Sequence, residues 1–378
     1  MQKRLWSVVA LLTVSALVFG ACAAPVAAPA APAAEPAADA GAACASKDAV
    51  TLQLKWVAQA QFAGYYAAKA EGFYDDECLD VTVNPGGPDI VPEQVVAGGQ
   101  AQFGINFVPS LLSSREQGTN LVNIAQIFER SAMREISWKD TGITGPADLK
   151  GKKVAVWFGG NEFELLATLA KAGIDKDTDV ELVQQPFDMN LLIERQVDAA
   201  AAMTYNELAQ VLETPDADGN LYTLDQLNVI DFNTEGTAML QDGIFSTEEW
   251  LADEANQDIA TRFLRASFKG WIFCRDNAEA CVDHVLEQGP ALPRGHQTWQ
   301  MNEVNKLIWP SSAGIGQMDP AIFEQTAAIA LQFEIIAAPP TEGAFVTDLA
   351  KAALEGIEED IMGEGFTPLE VTLTAGGQ

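Results

Sequence analysis

The stretch at residues 55–74, KWVAQAQFAGYYAAKAEGFY, carries six aromatic residues in twenty positions: Trp56, Phe62, Tyr65, Tyr66, Phe73 and Tyr74. Flat rings at the junction of a strand and a helix can stack on a planar ligand, each pair contributing ~0.5–1.5 kcal/mol beyond area burial. Trp56 would end the first strand, Phe62 would open the first helix, and Tyr65 and Tyr66 fall in its first turns. Phe73 and Tyr74 read as core. Further along, WFGGNEFE places Trp157 in the matching position, followed by Gly159 and by Asn161 at a helix start. Free N–H groups at such a start favour oxygens and anions. MTYNE brings a ring, an amide and a carboxylate together in Tyr205, Asn206 and Glu207. Glu207 could accept from the N–H groups of a heterocycle, or it could simply favour the first turn of the next helix. NPGGPD at residues 84–89 holds Gly86 and Gly87 between prolines. That loop could let a ligand approach the backbone closely, and a plain turn explains it equally well.

The elements that would position these groups alternate. TLQLKW, CLDVTV, AQFGINF and NLVNIAQIF read as strands between short helices, and after the polar break SWKDTGITGPADLKGK the pattern resumes with KVAVWF, DVELVQQ and DAAAAM. Alternation at these lengths predicts βαβ units and largely parallel sheets. LNVIDFN reads as a crossing strand, and the rest of the chain beyond it is mostly helical. Within ATRFLRASFKGWIFCRDN the apolar residues 263, 264, 268, 271 and 272 share one helical face. Two α/β blocks suggest two lobes and a cleft. Ligands of open α/β sheets sit beyond the carboxyl ends of the strands, which selects Trp56 to Phe62, residues 84–89, Asn106 to Ser110, Trp157 to Glu162 and Met203 to Glu207.

Composition bounds the partners. Fifty-three acidic residues against 22 basic ones give a net charge of −31. Nothing in such a chain would displace counterions from phosphates, so nucleic acid is not expected. Lys3 and Arg4 precede the apolar run LWSVVALLTVSALVFG and then GAC, a signal-peptide layout over residues 1–21. The small residues before Cys22 suggest acylation of that cysteine; an ordinary cleaved signal is the alternative. Loss of Lys3 and Arg4 would move the net charge from −31 to −33. The Ala/Pro-rich segment beyond it, within residues 22–48, reads as a semi-extended tether. Four cysteines remain. Cys274 pairs most simply with its near neighbour Cys281, leaving Cys44 with Cys78, although four cysteines allow three connectivities and free thiols remain the alternative.

A catalytic framework is not evident. His284 and His296 are the only histidines, His296 reads as a surface residue, and no cluster has metal-ligand spacing. No G-x-S-x-G motif and no Ser-His-Asp arrangement is present.

Taken in order, KW–x₅–FAGYY, the PGGP loop, the GIN strand end, TGITGPADLKGKKVAVW, the YNE triplet and FLRASFKGW resemble the ABC-importer solute-binding proteins related to thiamine-pyrimidine biosynthesis proteins. The resemblance covers about residues 51–340. It implies an α/β, two-lobed periplasmic-binding-protein fold, type II-like, with lobe 1 from residues 49–138 and 233–378 and lobe 2 from residues 139–232. It also implies a small heteroaromatic ligand delivered to a membrane permease, with no cofactor. Thiamine-pyrimidine proteins of this kind carry an Asn and a His where this sequence has Gln59 and Phe62, so the pocket should be richer in aromatic surface. That departure, together with the absence of the cysteine-rich motif of the enzyme branch, argues for binding rather than catalysis. Among the family's ligands riboflavin is expected first, and a formylated aminopyrimidine is the alternative. Asn106, Asn206 and Glu207 would then read the edges of the ring.

Overall fold

Short, strongly apolar strands such as Ala199–Met203, AAAAM, cannot sit at a surface, and this one is buried at the centre of a sheet. The computed structural model describes residue 44 and residues 46–378. The expectations for residues 1–43, including the signal, the acylated Cys22 and most of the tether, lie outside the described residues. Among the described residues ten strands form two sheets: β1 (Asp48–Gln53), β2 (Leu79–Asn84), β3 (Phe103–Asn106), β4 (Leu121–Phe128), β5 (Met133–Trp138), β6 (Lys153–Val156), β7 (Glu181–Gln184), β8 (Ala199–Met203), β9 (Leu227–Asp231) and β10 (Gln241–Thr247). The first sheet runs β2-β1-β3-β10-β4 and the second β7-β6-β8-β5-β9.

Each sheet combines parallel strands with one antiparallel insertion. β1 pairs parallel with β2 and β3, while β10 runs antiparallel between β3 and β4. β6 pairs parallel with β7 and β8, while β5 runs antiparallel between β8 and β9. The chain therefore leaves the first sheet after β4, builds the second and returns through β10. Met133–Trp138, expected at the end of lobe 1, is instead a strand of the second sheet, so the change of lobe falls between Phe128 and Met133. LNVIDFN contributes β9, which pairs with β5 rather than crossing between lobes.

The two crossing segments are fastened to each other. Ser131 Oγ donates to Glu164 Oε2 at 2.7 Å, Gln241 Nε2 donates to Glu164 Oε1 at 2.8 Å, and Gln241 Oε1 accepts from Ala132 N at 2.9 Å. Glu164 belongs to the helix Phe163–Lys171, so a single carboxylate from lobe 2 ties both crossovers together. Burial raises the Glu164 pKa to about 8.

The aromatic residues of the first helix find one another. Phe62, Tyr65 and Tyr66 are buried in the main core. The helix Ala63–Ala70 packs on the long helix Glu254–Asp276, where Tyr65 meets Trp271 edge-on at 5.6 Å. Phe263 stacks on Phe103 at 4.2 Å and on Tyr74 at 5.6 Å. The face predicted at residues 263, 264, 268, 271 and 272 is buried throughout. Cys274 bonds to Cys281, spanning Cα atoms 5.3 Å apart, and Cys44 and Cys78 each take part in a disulfide. No helix among the described residues is long and apolar enough to cross a membrane.

Candidate functional site

The carboxyl ends of β1, β6 and β8 converge on one cleft. β1 is followed by Lys55 and Trp56, β6 by Trp157 and β8 by Tyr205, Asn206 and Glu207. Trp56 meets Trp157 edge to face, with ring centroids 6.4 Å apart and planes at 71°, and Phe187 packs on the other side of Trp56 at 5.1 Å. Lys55 Nζ donates across the cleft to Asn161 Oδ1 at 2.5 Å and stands 3.2 Å from the centroid of the Phe107 ring. The cavity so enclosed is about 30 Å³ and is lined by Lys55, Trp56, Gln59, Gln61, Trp157, Asn161, Met203, Tyr205, Asn206 and Glu207. That is space for about one or two waters. A planar ring needs more room than this gap between Trp56 and Trp157 offers.

Of the residues expected here, the structure brings Trp56, Gln59, Trp157, Tyr205, Asn206 and Glu207 to this cavity. Asn106, Gly87 and Gly159 line a second small cavity that shares Lys55, Trp56, Trp157 and Asn161 with the first. Gly86 lies against β1; an added Cβ would come within 2.3 Å of Leu54 O, so this glycine serves close strand-to-loop packing. Phe62, Tyr65 and Tyr66 line neither cavity, because positions 62, 65 and 66 follow helical spacing into the core. The expectation of a broad aromatic box is corrected to one pair of indoles with Phe187 behind it.

Besides Phe187 and Gln61, four contributors were not singled out by the sequence. Lys55 is a buried cation whose pKa burial lowers to about 8, against the charges of Asp242 and Glu93. Asp242, at a left-handed φ of 47° in β10, accepts from Gln61 Nε2 at 2.7 Å, while its Oδ1 has no partner. Glu93 accepts from Asn106 Nδ2 at 2.8 Å. Lys before an aromatic at a strand end was the only sequence signal for any of these groups.

His296 is the fourth, and here the expectation of a surface residue is overturned. It lies on the helix Arg294–Ile308 and is buried between the lobes. Its Nε2 is 2.8 Å from Asn206 Oδ1 and its Nδ1 is 2.8 Å from Glu213 Oε2. Asn206 Nδ2 donates to Glu207 Oε1 at 2.6 Å, so Asn206 Oδ1 must accept and His296 Nε2 carries the proton. The chain Glu213–His296–Asn206–Glu207 fixes the orientation of the carboxylate that lines the cavity. Glu207 Oε2 also accepts from Met203 N at 3.1 Å, and burial raises the Glu207 pKa to about 7. Replacing His296 with Leu removes two bonds of about 0.5–1.5 kcal/mol each; ligand affinity is expected to fall about tenfold with the fold retained, read by calorimetric titration beside circular dichroism.

The buried acids also set a pH dependence of stability. Burial raises Glu164 to about 8, Glu207 to about 7 and Asp242 to about 6, and pushes Glu93 and Glu135 upward as well. The folded protein thus holds protons that the unfolded chain releases near pH 4.5, and stability falls as pH rises from there to about 8. Lys55, depressed to about 8, acts in the opposite sense only above that pH. The thermal midpoint of the ligand-free protein is expected to be highest near pH 5 and to fall through pH 8, and Glu164→Gln should flatten the last part of that fall. A midpoint that rises between pH 5 and 8 would contradict this.

Two sheets, two crossovers and a cleft at the strand ends define a two-lobed periplasmic-binding-protein fold. A family profile described as "NMT1/THI5 like" matches residues 59–280, and the chain belongs to that family. The chain is 25% identical to the riboflavin-binding protein RibY of Chloroflexus aurantiacus over 302 residues, covering 77% of this chain and 82% of that protein. It is 23% identical to the formylaminopyrimidine-binding protein of Halalkalibacterium halodurans over 63% of this chain and 70% of the relative. A putative thiamine biosynthesis protein of Haemophilus influenzae is 26% identical over 44% of this chain, which spans about half (54%) of that relative's length. Among solved structures, the alkanesulfonate-binding protein SsuA from Xanthomonas axonopodis pv. citri shares the fold with a TM-score of 0.60 at 15% identity, over 80% of this chain and 100% of that one.

Proposed function

We propose that the chain is the extracytoplasmic solute-binding component of an ABC importer, tethered through an acylated Cys22, and that it captures a nitrogen heteroaromatic vitamin for a membrane permease. The observation that carries the reading is the meeting of Trp56 and Trp157, from matching junctions of the two sheets, beside the carboxylate of Glu207. A planar solute that parts the lobes, stacks on these rings and donates N–H groups to Glu207 touches both lobes. It stabilises the closed form only by its greater affinity for that form. Binding without chemical turnover fits a cavity assembled from rings, amides and carboxylates.

Riboflavin is the first solute. The similarity to RibY extends over most of both chains, and an open groove beside the cavity offers room for more than a single ring. A formylated aminopyrimidine is the second, favoured by the small closed cavity and by Glu207, whose carboxylate complements neighbouring N–H donors. Titration of tryptophan fluorescence with each compound separates them. Quenching by riboflavin is expected; quenching by the pyrimidine alone removes the flavin reading, and silence with both removes the heteroaromatic one.

A further inference from the structure

Beyond Trp56 the closed cavity gives way to an open groove of about 340 Å³. The two spaces share Trp56, Gln59 and Asn206, so a ligand held against Trp56 in one can extend into the other. The second small cavity is about 30 Å³ and offers no comparable volume. The groove's apolar wall is Phe187, Leu292 and Pro293.

The polar wall has a direction. Gln59 Nε2 is held by Gln61 Oε1 at 2.7 Å, which leaves the Gln59 carbonyl as an acceptor. Gln210 Nε2 is turned toward Phe187 O and Asn206 Oδ1, both at 3.4 Å, which leaves Gln210 Oε1. Glu213 is buried, and its Oε1 has no hydrogen-bond partner although its Oε2 is bonded to His296. The side-chain carbonyls of Gln59 and Gln210 and the carboxylate of Glu213 line the groove as acceptors, beside Gln297, whose Oε1 accepts from Ala60 N and leaves its Nε2 to donate. An unpaired buried acceptor costs ~1–3 kcal/mol until a donor reaches it. The alternation of acceptors with ring and aliphatic surface suits a chain of hydroxyl groups, whose C–H faces rest on Phe187 and Leu292.

We infer that this groove is a subsite for a hydroxyl-bearing arm of the ligand, with the planar ring in the cavity between Trp56 and Trp157. The inference rests on the reading of the chain as a flavin-binding protein and adds the part of the solute that decides its affinity. The test compares riboflavin with lumiflavin, which has the same tricycle and a methyl group in place of the polyol chain. Calorimetric titration of the full chain should show riboflavin bound at least about tenfold more tightly, the worth of one good hydrogen bond to a buried acceptor. Gln210→Trp, which fills the groove, should bring riboflavin and lumiflavin to equal affinity; retained lumiflavin binding also reports that the variant folds. Gln210→Ala should reduce the advantage partially. Equal affinity for the two flavins in the wild-type protein, or equal loss of both in the variants, overturns the subsite while leaving the flavin reading in place. Failure of the wild-type protein to bind either flavin overturns both.

Discussion

Replacing Glu207 with Gln is expected to weaken ligand binding about a hundredfold, as the loss of a charge-assisted bond combines with a disrupted amide network. The carboxylate accepts on both oxygens, from Met203 N and from Asn206 Nδ2. A glutamine can satisfy only one of them. Its amide nitrogen would face that of Asn206, and turning Asn206 over would set its own nitrogen against His296 Nε2–H. The substitution therefore disturbs three residues while adding almost no volume. The sign of the pH effect comes from the pKa of about 7. If ligand N–H groups donate to the ionised form, wild-type affinity rises between pH 6 and 8 and levels off above that, whereas the variant's stays flat. Titrations at several pH values, with folding checked by circular dichroism, decide it. A variant with wild-type affinity and an unchanged pH profile would remove Glu207 from the site.

The second large effect concerns the scaffold. Gly270 of the long helix lies against the helix Ala63–Ala70 so closely that an added Cβ would stand 2.0 Å from Gly64 O, and one on Gly64 would stand 2.2 Å from the Trp271 ring. Backbone cannot move aside as a side-chain tip can. Gly270→Val should cost about 3 kcal/mol or more, at the upper end of overpacking, and lower the thermal midpoint by about 4 °C for a chain of this size. Gly87→Ala, whose Cβ would meet nothing within 4 Å, is the control and should leave the midpoint unchanged. If both variants melt together, the helix contact is not a determinant of stability.

Sequence and structure agree where one rule dominates. The rule that ligands of open sheets lie beyond the carboxyl ends of strands picked out Trp56, Trp157 and Glu207, and the structure brings these three to one cavity. The same rule pointed too far at Tyr65 and Tyr66. Their spacing from Phe62, with Ala63, Ala67 and Ala68 between and beyond, is that of an inward helix face, and all six are buried. The inserted strands were harder to read. Gln241–Thr247, QDGIFST, opens with two polar residues that serve the crossover and the cleft rather than a sheet face. Met133–Trp138 lies beside a polar break that looked like the domain boundary itself. His296 depends on Asn206 and Glu213, 90 and 83 residues away, and no local pattern reveals such a partnership.

The place of β10 between β3 and β4 carries a consequence for biogenesis. Until residues 241–247 emerge, the sheet begun by the earliest strands lacks its fourth member and cannot zip shut. The other sheet takes all of its strands from residues 133–231. A nascent chain would thus finish its middle before its beginning, and a truncation ending anywhere short of β10 would strand the opening segment half-assembled, a natural target for chaperones and proteases.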